Sequence, residues 1–295
     1  MVQQQSETAN YAVMKEEGID LAGGVYFWQF NGTASAANIR RHAELHGFPA
    51  EVARKRFPSD PTAAVCLSRA VRDVCGSGHI VKKVTGTPWT QVTLTRVADG
   101  DLEFKKELKV KLVNDEPIFE EHHHFSEQIR SSFNANNGVL HGSDMTEWLV
   151  NVMKGLHGVT LKRSGGFYFL PEGPDREMFE QIIGVLRAAS SHQFFSMPVV
   201  RNEDVLDAIQ SGIVHEAQSV CDEISRVLEE EELGTRGLKS RSFEAQAALH
   251  KLQHYEELLG RGLDEVKHHL LKVSGKLVDV ALASDRGEAN PYDYA

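Results

Sequence analysis

Three consecutive histidines, His122, His123 and His124, follow Glu120 and Glu121 and form the densest run of metal-ligating side chains in the sequence. On a strand, alternation puts Glu120, His122 and His124 on one face and Glu121 and His123 on the other, and three such groups could hold a divalent cation. Metal centres usually draw ligands from separate elements and orient them through further partners. None of these is identifiable here, so the run reads as an exposed polar edge, with no metal or other cofactor expected. The remaining histidines, among them His42, His46, His79, His141, His157 and His192, are dispersed. Cys66, Cys75 and Cys221 are an odd count without CxxC or finger spacing, which fits reduced thiols rather than a disulfide framework or zinc module.

Phosphate-binding loops fare poorly. Gly23-Gly24 and Ser164-Gly165-Gly166 precede predicted strands, whereas a phosphate loop follows a strand and opens a helix. The sequence holds no GxxxxGK[ST], GxSxG or HExxH and no kinase signature set, so no catalytic residue is assigned. Tyr26, Phe27, Trp28, Tyr168 and Phe169 would stack bases if a sheet exposed them, with Lys105, Lys106, Lys109 and Lys111 as phosphate contacts. As the aromatics of a sheet core they need no ligand, and that is the favoured reading.

These residues need elements to position them. The 295 residues suffice for one large or two modest domains, and 41% hydrophobic with 25% charged residues describes a globular chain rather than a disordered one. No apolar run reaches the length of a membrane span, and the first residues lack the basic and apolar regions of a signal peptide, so a cytoplasmic location is expected. Of the net charge of −10, residues 201–295 carry −8, from 11 Lys/Arg against 19 Asp/Glu. A segment that acidic repels phosphate backbones and gives nucleic-acid binding no bulk support.

Residues 1–19 read as a tail, and residues 20–200 as an α+β domain. The spacing predicts a strand at 23–30, helices near 35–45, 49–56 and 62–75, then an antiparallel meander over 79–125 whose Leu108, Val110 and Leu112 alternate with Lys109 and Lys111. Helices near 125–134, 143–156 and 174–186, a hairpin about Ser164-Gly165 and a short strand at 197–200 follow. In the helix near 143, Asp144 and Glu147 stand in capping-box spacing. The motif GGxYF occurs twice, at Gly23–Phe27 and Gly165–Phe169, each time ahead of a turn and a helix, as if two related strand-turn-helix units face each other.

Residues 201–283 carry the most specific pattern. Leu249, Leu252, Glu256, Leu259, Leu263, Val266, Leu270, Val273, Leu277 and Val280 follow a 3-4-3-4 spacing, and Leu206, Ile209, Ile213, Ala217, Val220, Ile224 and Val227 form a matching stripe. Leu233–Lys239, with two glycines, separates them, which predicts an antiparallel coiled-coil hairpin of helices near 202–232 and 240–282, about 45 and 65 Å long. The second helix outlasts the first, so Val273, Leu277 and Val280 need cover from the globular part or from a second copy. The tip is bipolar, with Arg236, Lys239 and Arg241 after the acidic run Glu229–Glu232, and is a candidate contact surface. Residues 284–295 read as a second tail.

FPSDPTAAVCLSRAVRDV at 57–74, LKRSGGFYFLPEG at 161–173 and HYEELLGRGLDEV at 254–266 resemble uncharacterised proteins encoded by phages, plasmids and other prokaryotic mobile elements. The resemblance spans most of residues 20–282 and implies a mobile-element or phage-conflict setting, with no catalytic residue carried over. The sequence therefore points to a non-enzymatic assembly or interaction protein. It would act on a second copy of itself or on another protein through the hairpin, with Arg236, Lys239, Arg241, Leu263, Val273, Leu277 and Val280 as the interaction residues. The alternative is a nucleic-acid-binding protein using the lysine-rich sheet, and no membrane partner is expected.

Overall fold

The computed structural model describes residues 13, 14, 16–75, 79–83, 90–98, 101–121, 123–162, 166–229 and 235–285. Among them the fold is α+β, with nine helices and antiparallel sheets. The chain divides into two compact units. The first comprises residues 1–29, 150–181 and 194–295, the second residues 30–149 and 182–193. Division by compactness thus differs from the linear boundary expected at residue 200, because the chain leaves the first unit after one strand and returns to it 120 residues later.

The first unit is built on a four-stranded sheet of β1 (Leu21–Gln29), β8 (Val159–Thr160), β9 (Tyr168–Pro171) and β10 (Gln193–Val200), in the order β10-β1-β9-β8. β9 is antiparallel to both β1 and β8. β1 and β8 are therefore parallel with β9 between them, and parallel strands need a crossover rather than a hairpin. The crossover arrives through α5 (Gly142–Gly155), and α6 (Pro174–Ala189) links β9 to β10. This is the split β-α-β order of a ferredoxin-like fold, opened by a long insertion after its first strand. The two GGxYF segments become neighbours in it: Val25 pairs with Phe169 and Tyr26 with Tyr168. Each begins one half of the split motif.

Alternation along β1 then sorts the aromatics. Tyr26 meets Phe179 of α6 edge-on, with centroids 4.9 Å apart, and its hydroxyl donates to Glu180 at 2.8 Å. Burial and the adjacent Glu180 push that phenol far above its ordinary range. On the opposite face Val25, Phe169 and Val159 join a core with Leu206, Ile209 and Ile213 of α7 (Glu203–Glu229). Gly212 permits this approach, since a Cβ there would lie 2.8 Å from the Val159 Cγ1 and 3.0 Å from the Thr160 carbonyl.

α7 is followed by α8 (Thr235–Leu259) and α9 (Asp264–Asp285), and the three share one apolar core. The contacts Arg241 to Glu223 and Lys251 to Glu216 make α7 and α8 antiparallel. The single helix expected over 240–282 is broken. Gly260 adopts φ +63°, and the chain reverses through Gly260–Leu263. Glu256, the one polar residue of the predicted seam, closes that turn: its carboxylate accepts from the Leu263 amide at 2.7 Å and from Lys267 Nζ at 2.6 Å. These two bonds hold its carboxyl below the usual range. Val273 and Leu277 are accordingly buried against α7 and α8 of the same chain instead of extending beyond them, and a three-helix unit stands where a two-helix hairpin was expected.

The second unit holds β2 (Ala34–Ser35) paired with β7 (Val139–Leu140), helices α1 (Ala36–Leu45) and α2 (Ala50–Arg56), and the meander β3 (His79–Lys83), β4 (Thr90–Ala98), β5 (Asp101–Val113) and β6 (Glu116–Phe119) in sequential order. α3 (Ala63–Cys75) and α4 (Ser126–Asn136) pack through Cys66, Leu67, Ala70, Val71, Ile129 and Phe133 onto Leu108 and Val110 of β5. Hydroxyls cap two helix starts: Ser35 accepts from the Asn38 amide and Thr62 from the Val65 amide. At α5 the cap differs. Asp144 accepts from the His141 amide at 2.7 Å, reaching back rather than forward to Glu147. The last meander strand also stops early, at Phe119, so Glu120, Glu121, His123 and His124 lie past its end rather than on it.

Candidate functional site

Two of the three histidines of the run, His123 and His124, fall within the described residues. His122 lies outside the described residues, while His123 accepts from the Phe125 amide at 3.3 Å and its ring packs on His124 and Phe125. Among the described residues no group of three His, Cys, Asp or Glu side chains is arranged to hold a metal ion. Of the meander lysines, the side chains of Lys105 and Lys106 lie outside the described residues, Lys109 bonds Glu120 at 3.0 Å, and Lys111 is half-buried. Tyr26, Tyr168 and Phe169 are buried as sheet core, and Trp28 stacks on Tyr168 at 4.8 Å. Those aromatics belong to the first unit and the lysines to the second.

The interaction residues separate as well. Leu263, Val273 and Leu277 are core; Val280 lies on α9, and Arg236 and Lys239 on α8, with side chains outside the described residues. Arg241 is held between Glu244 at 2.6 Å and Glu223 at 2.8 Å. It lines a groove of about 1010 Å³ that runs between α7 and α8 toward the end of α5 and β8. Ile213, Val220, Ala247 and Leu252 supply apolar lining, and Phe243 stands on the wall 73% exposed.

The other end of the groove is polar and was not singled out from the sequence. Lys251 of α8 is half-buried, its side chain 12% exposed; its Nζ donates to Glu216 and to the Gly158 carbonyl, both at 2.5 Å. Burial lowers its ammonium below the usual range, against the pull of Glu216. Glu216 also accepts from the Thr160 amide at 2.7 Å. One turn along, buried Tyr255 donates to the His157 carbonyl at 2.9 Å, and burial raises its phenol well above the ordinary range. His157 sits at φ +57°, a left-handed conformation uncommon for a non-glycine residue. Its Nδ1 lies 2.8 Å from Asp175, and the rings of His250 and His254 lie 5.4 and 5.5 Å from its own. The signal that could have found this corner is His250 and His254, four residues apart on one helix face.

Lys154, Lys162, His157, His215, His250 and Lys251 thus share this end of the groove, in a unit whose C-terminal part is strongly acidic. Among the described residues no carboxylate lies within ion-pair distance of Lys154 or Lys162, whereas Glu216, Glu223 and Glu244 are all engaged. No described helix is long and apolar enough to cross a membrane.

The chain belongs to a family of unknown function, DUF6744, whose profile matches residues 24–286. A search of the curated proteins and a search of the solved structures each found no match.

Proposed function

We propose that this is a non-enzymatic interaction protein that docks another protein through the groove of its helical unit. Its setting would be the cytoplasm of a cell carrying a phage, plasmid or anti-phage system, as the sequence resemblance implies. The occupant is an amphipathic helix of the partner with acidic side chains on its polar face. The single observation that carries this reading is the groove's make-up: an apolar floor, the exposed Phe243, and one end where, among the described residues, no carboxylate lies within ion-pair distance of Lys154 or Lys162. Large exposed aromatics beside buried apolar surface are characteristic anchors of protein interfaces, and charge complementarity selects the partner. Docking gains support over self-association because Val273 and Leu277 already have cover within the chain.

A photoreactive residue at position 243, in cells that carry the gene, tests it. The expected product is one partner cross-linked through an acidic amphipathic segment, lost in Ala247→Arg, with nothing comparable from the equally exposed Leu45. Cross-links no different from those at Leu45, or to a basic segment, would reject the reading.

A second reading, single-stranded nucleic acid, is supported by Phe27 of the expected aromatics together with two that were not expected, Phe167 and Phe195. Phe27 lies 4.7 Å from Phe195 and 5.2 Å from Phe167 across neighbouring strands, and Phe167 is 39% exposed. Such rows on antiparallel sheets stack bases. Binding of an oligonucleotide at about 50 mM salt, weakening steeply as salt rises and lost in Phe167→Ala, is the expected result; no binding at that salt removes this reading.

A further inference from the structure

The polar corner of the groove has a property that a merely structural cluster lacks: several of its acceptors are engaged within it while donors along its edge are not. The two carbonyls that would repel an anion, His157 O and Gly158 O, are taken by Tyr255 and Lys251. The carbonyls of Met153 and Lys154, at the end of α5, are taken by the amides of Gly158 and His157. Glu216 is occupied by Lys251 and the Thr160 amide, and Asp175 by His157 Nδ1. What remains facing the groove is His157 Nε2, the exposed His250 and the exposed Lys154.

We propose that Lys154, His157 and His250 form a binding site for a phosphate monoester, carried by a side chain of the docked partner segment. The source of the phosphate rests on the docking reading; the site itself does not. Donors approach from three places, α5, the turn after it and α8, which suits the tetrahedral oxygens of a phosphate better than the two coplanar oxygens of a carboxylate. His157 is built for the part. Its left-handed backbone is held by Tyr255 from one side, and Asp175 accepts from Nδ1 and fixes the orientation of the ring. With its second nitrogen protonated the ring presents Nε2–H to the anion. The charged and titratable groups around it are Lys154, Lys162, Asp175, His215, Glu216, His250, Lys251, His254 and Tyr255. Of these only Glu216 and Asp175 are anionic near neutrality, and both are engaged.

Calorimetric titration of the full chain with inorganic phosphate reads the site directly. The expected result is saturable binding, at least about five-fold weaker in Lys154→Gln and in His250→Gln, two exposed positions whose variants keep the wild-type melting temperature. No binding by a folded chain, or binding that ignores both variants, overturns the site. Adenosine monophosphate binding more than about 100-fold tighter than phosphate would overturn the partner side chain as the source. Phosphate binding without the position-243 cross-link rejects docking and leaves the site; the cross-link without phosphate binding does the reverse.

Discussion

In the second unit, Asn136 donates to Asp73 and to the Ser132 carbonyl, its amide oxygen meets His141 Nε2 at 2.9 Å, and its own carbonyl receives the Cys66 thiol. Nearby Arg69 pairs with Asp144, which in turn caps α5 through the His141 amide. In the first unit, Lys251, Glu216, Tyr255, His157 and Asp175 make an equally dense set of bonds, but that set stops at the groove, with His157 Nε2, His250 and Lys154 facing open space. The contrast teaches what separates a scaffold from a site. A closed polar cluster orients its elements against one another, and a cluster bonded on one side only orients its remaining donors toward a ligand.

The contrast predicts that stability and ligand binding respond in opposite order. Asn136→Ala should have the largest effect on stability, about 2–3 kcal/mol, because it removes the bonds of a buried amide to Asp73, the Ser132 carbonyl and His141 at once. Chemical denaturation would show it, with phosphate affinity unchanged. A loss below about 0.5 kcal/mol would mean that the closed cluster is not holding α3 and α4. Tyr255→Phe keeps the ring and removes only the bond to His157; about 1–2 kcal/mol and a clear loss of phosphate affinity are expected, and loss of neither would contradict the role given to the left-handed His157.

Acid should act through the second unit. Buried His192 accepts from the Asn31 amide, and burial holds its pKa below the ordinary 6.5. The unfolded chain then takes up the proton first, so this contribution to stability is intact above pH 6.5 and is lost as pH falls below it. Melting temperatures from pH 7 to 5 should drop more steeply in the wild type than in His192→Gln, and parallel curves would refute the assignment. Smallest in stability, within about 0.5 kcal/mol, is His250→Gln at an exposed helix position, although it should weaken phosphate binding at least about five-fold.

How much of this the sequence revealed depends on the range of the interaction involved. α3, the meander and the apolar stripe of α7 were legible because their cores follow a single period, as Cys66, Ala70 and Val71 or Leu108 and Val110 show. The break at 260–263 was hidden because Leu259, Leu263 and Val266 stay in phase across it, so the apolar spacing continues while the chain reverses. Gly260 and Gly262 carried the signal, and the spacing outweighed them. Glu256 looked like an exception in a seam because its partners, the Leu263 amide and Lys267, become neighbours only once the turn forms. The corner at His157 was beyond reach for the same reason. Lys251 and Gly158 are 93 residues apart, and Tyr255 and His157 are 98 apart. The split sheet that brings them together depends on an insertion separating β1 from β8, and no local pattern announces it.

The most direct test of an open cluster against a closed one is a two-dimensional NMR spectrum of the histidine rings recorded while inorganic phosphate is added near pH 6.3. The account predicts that the His157 and His250 ring signals move together and saturate, while those of His141 and His192 stay fixed. Ring signals that all remain still, or that all move by similar amounts without saturation, would contradict it.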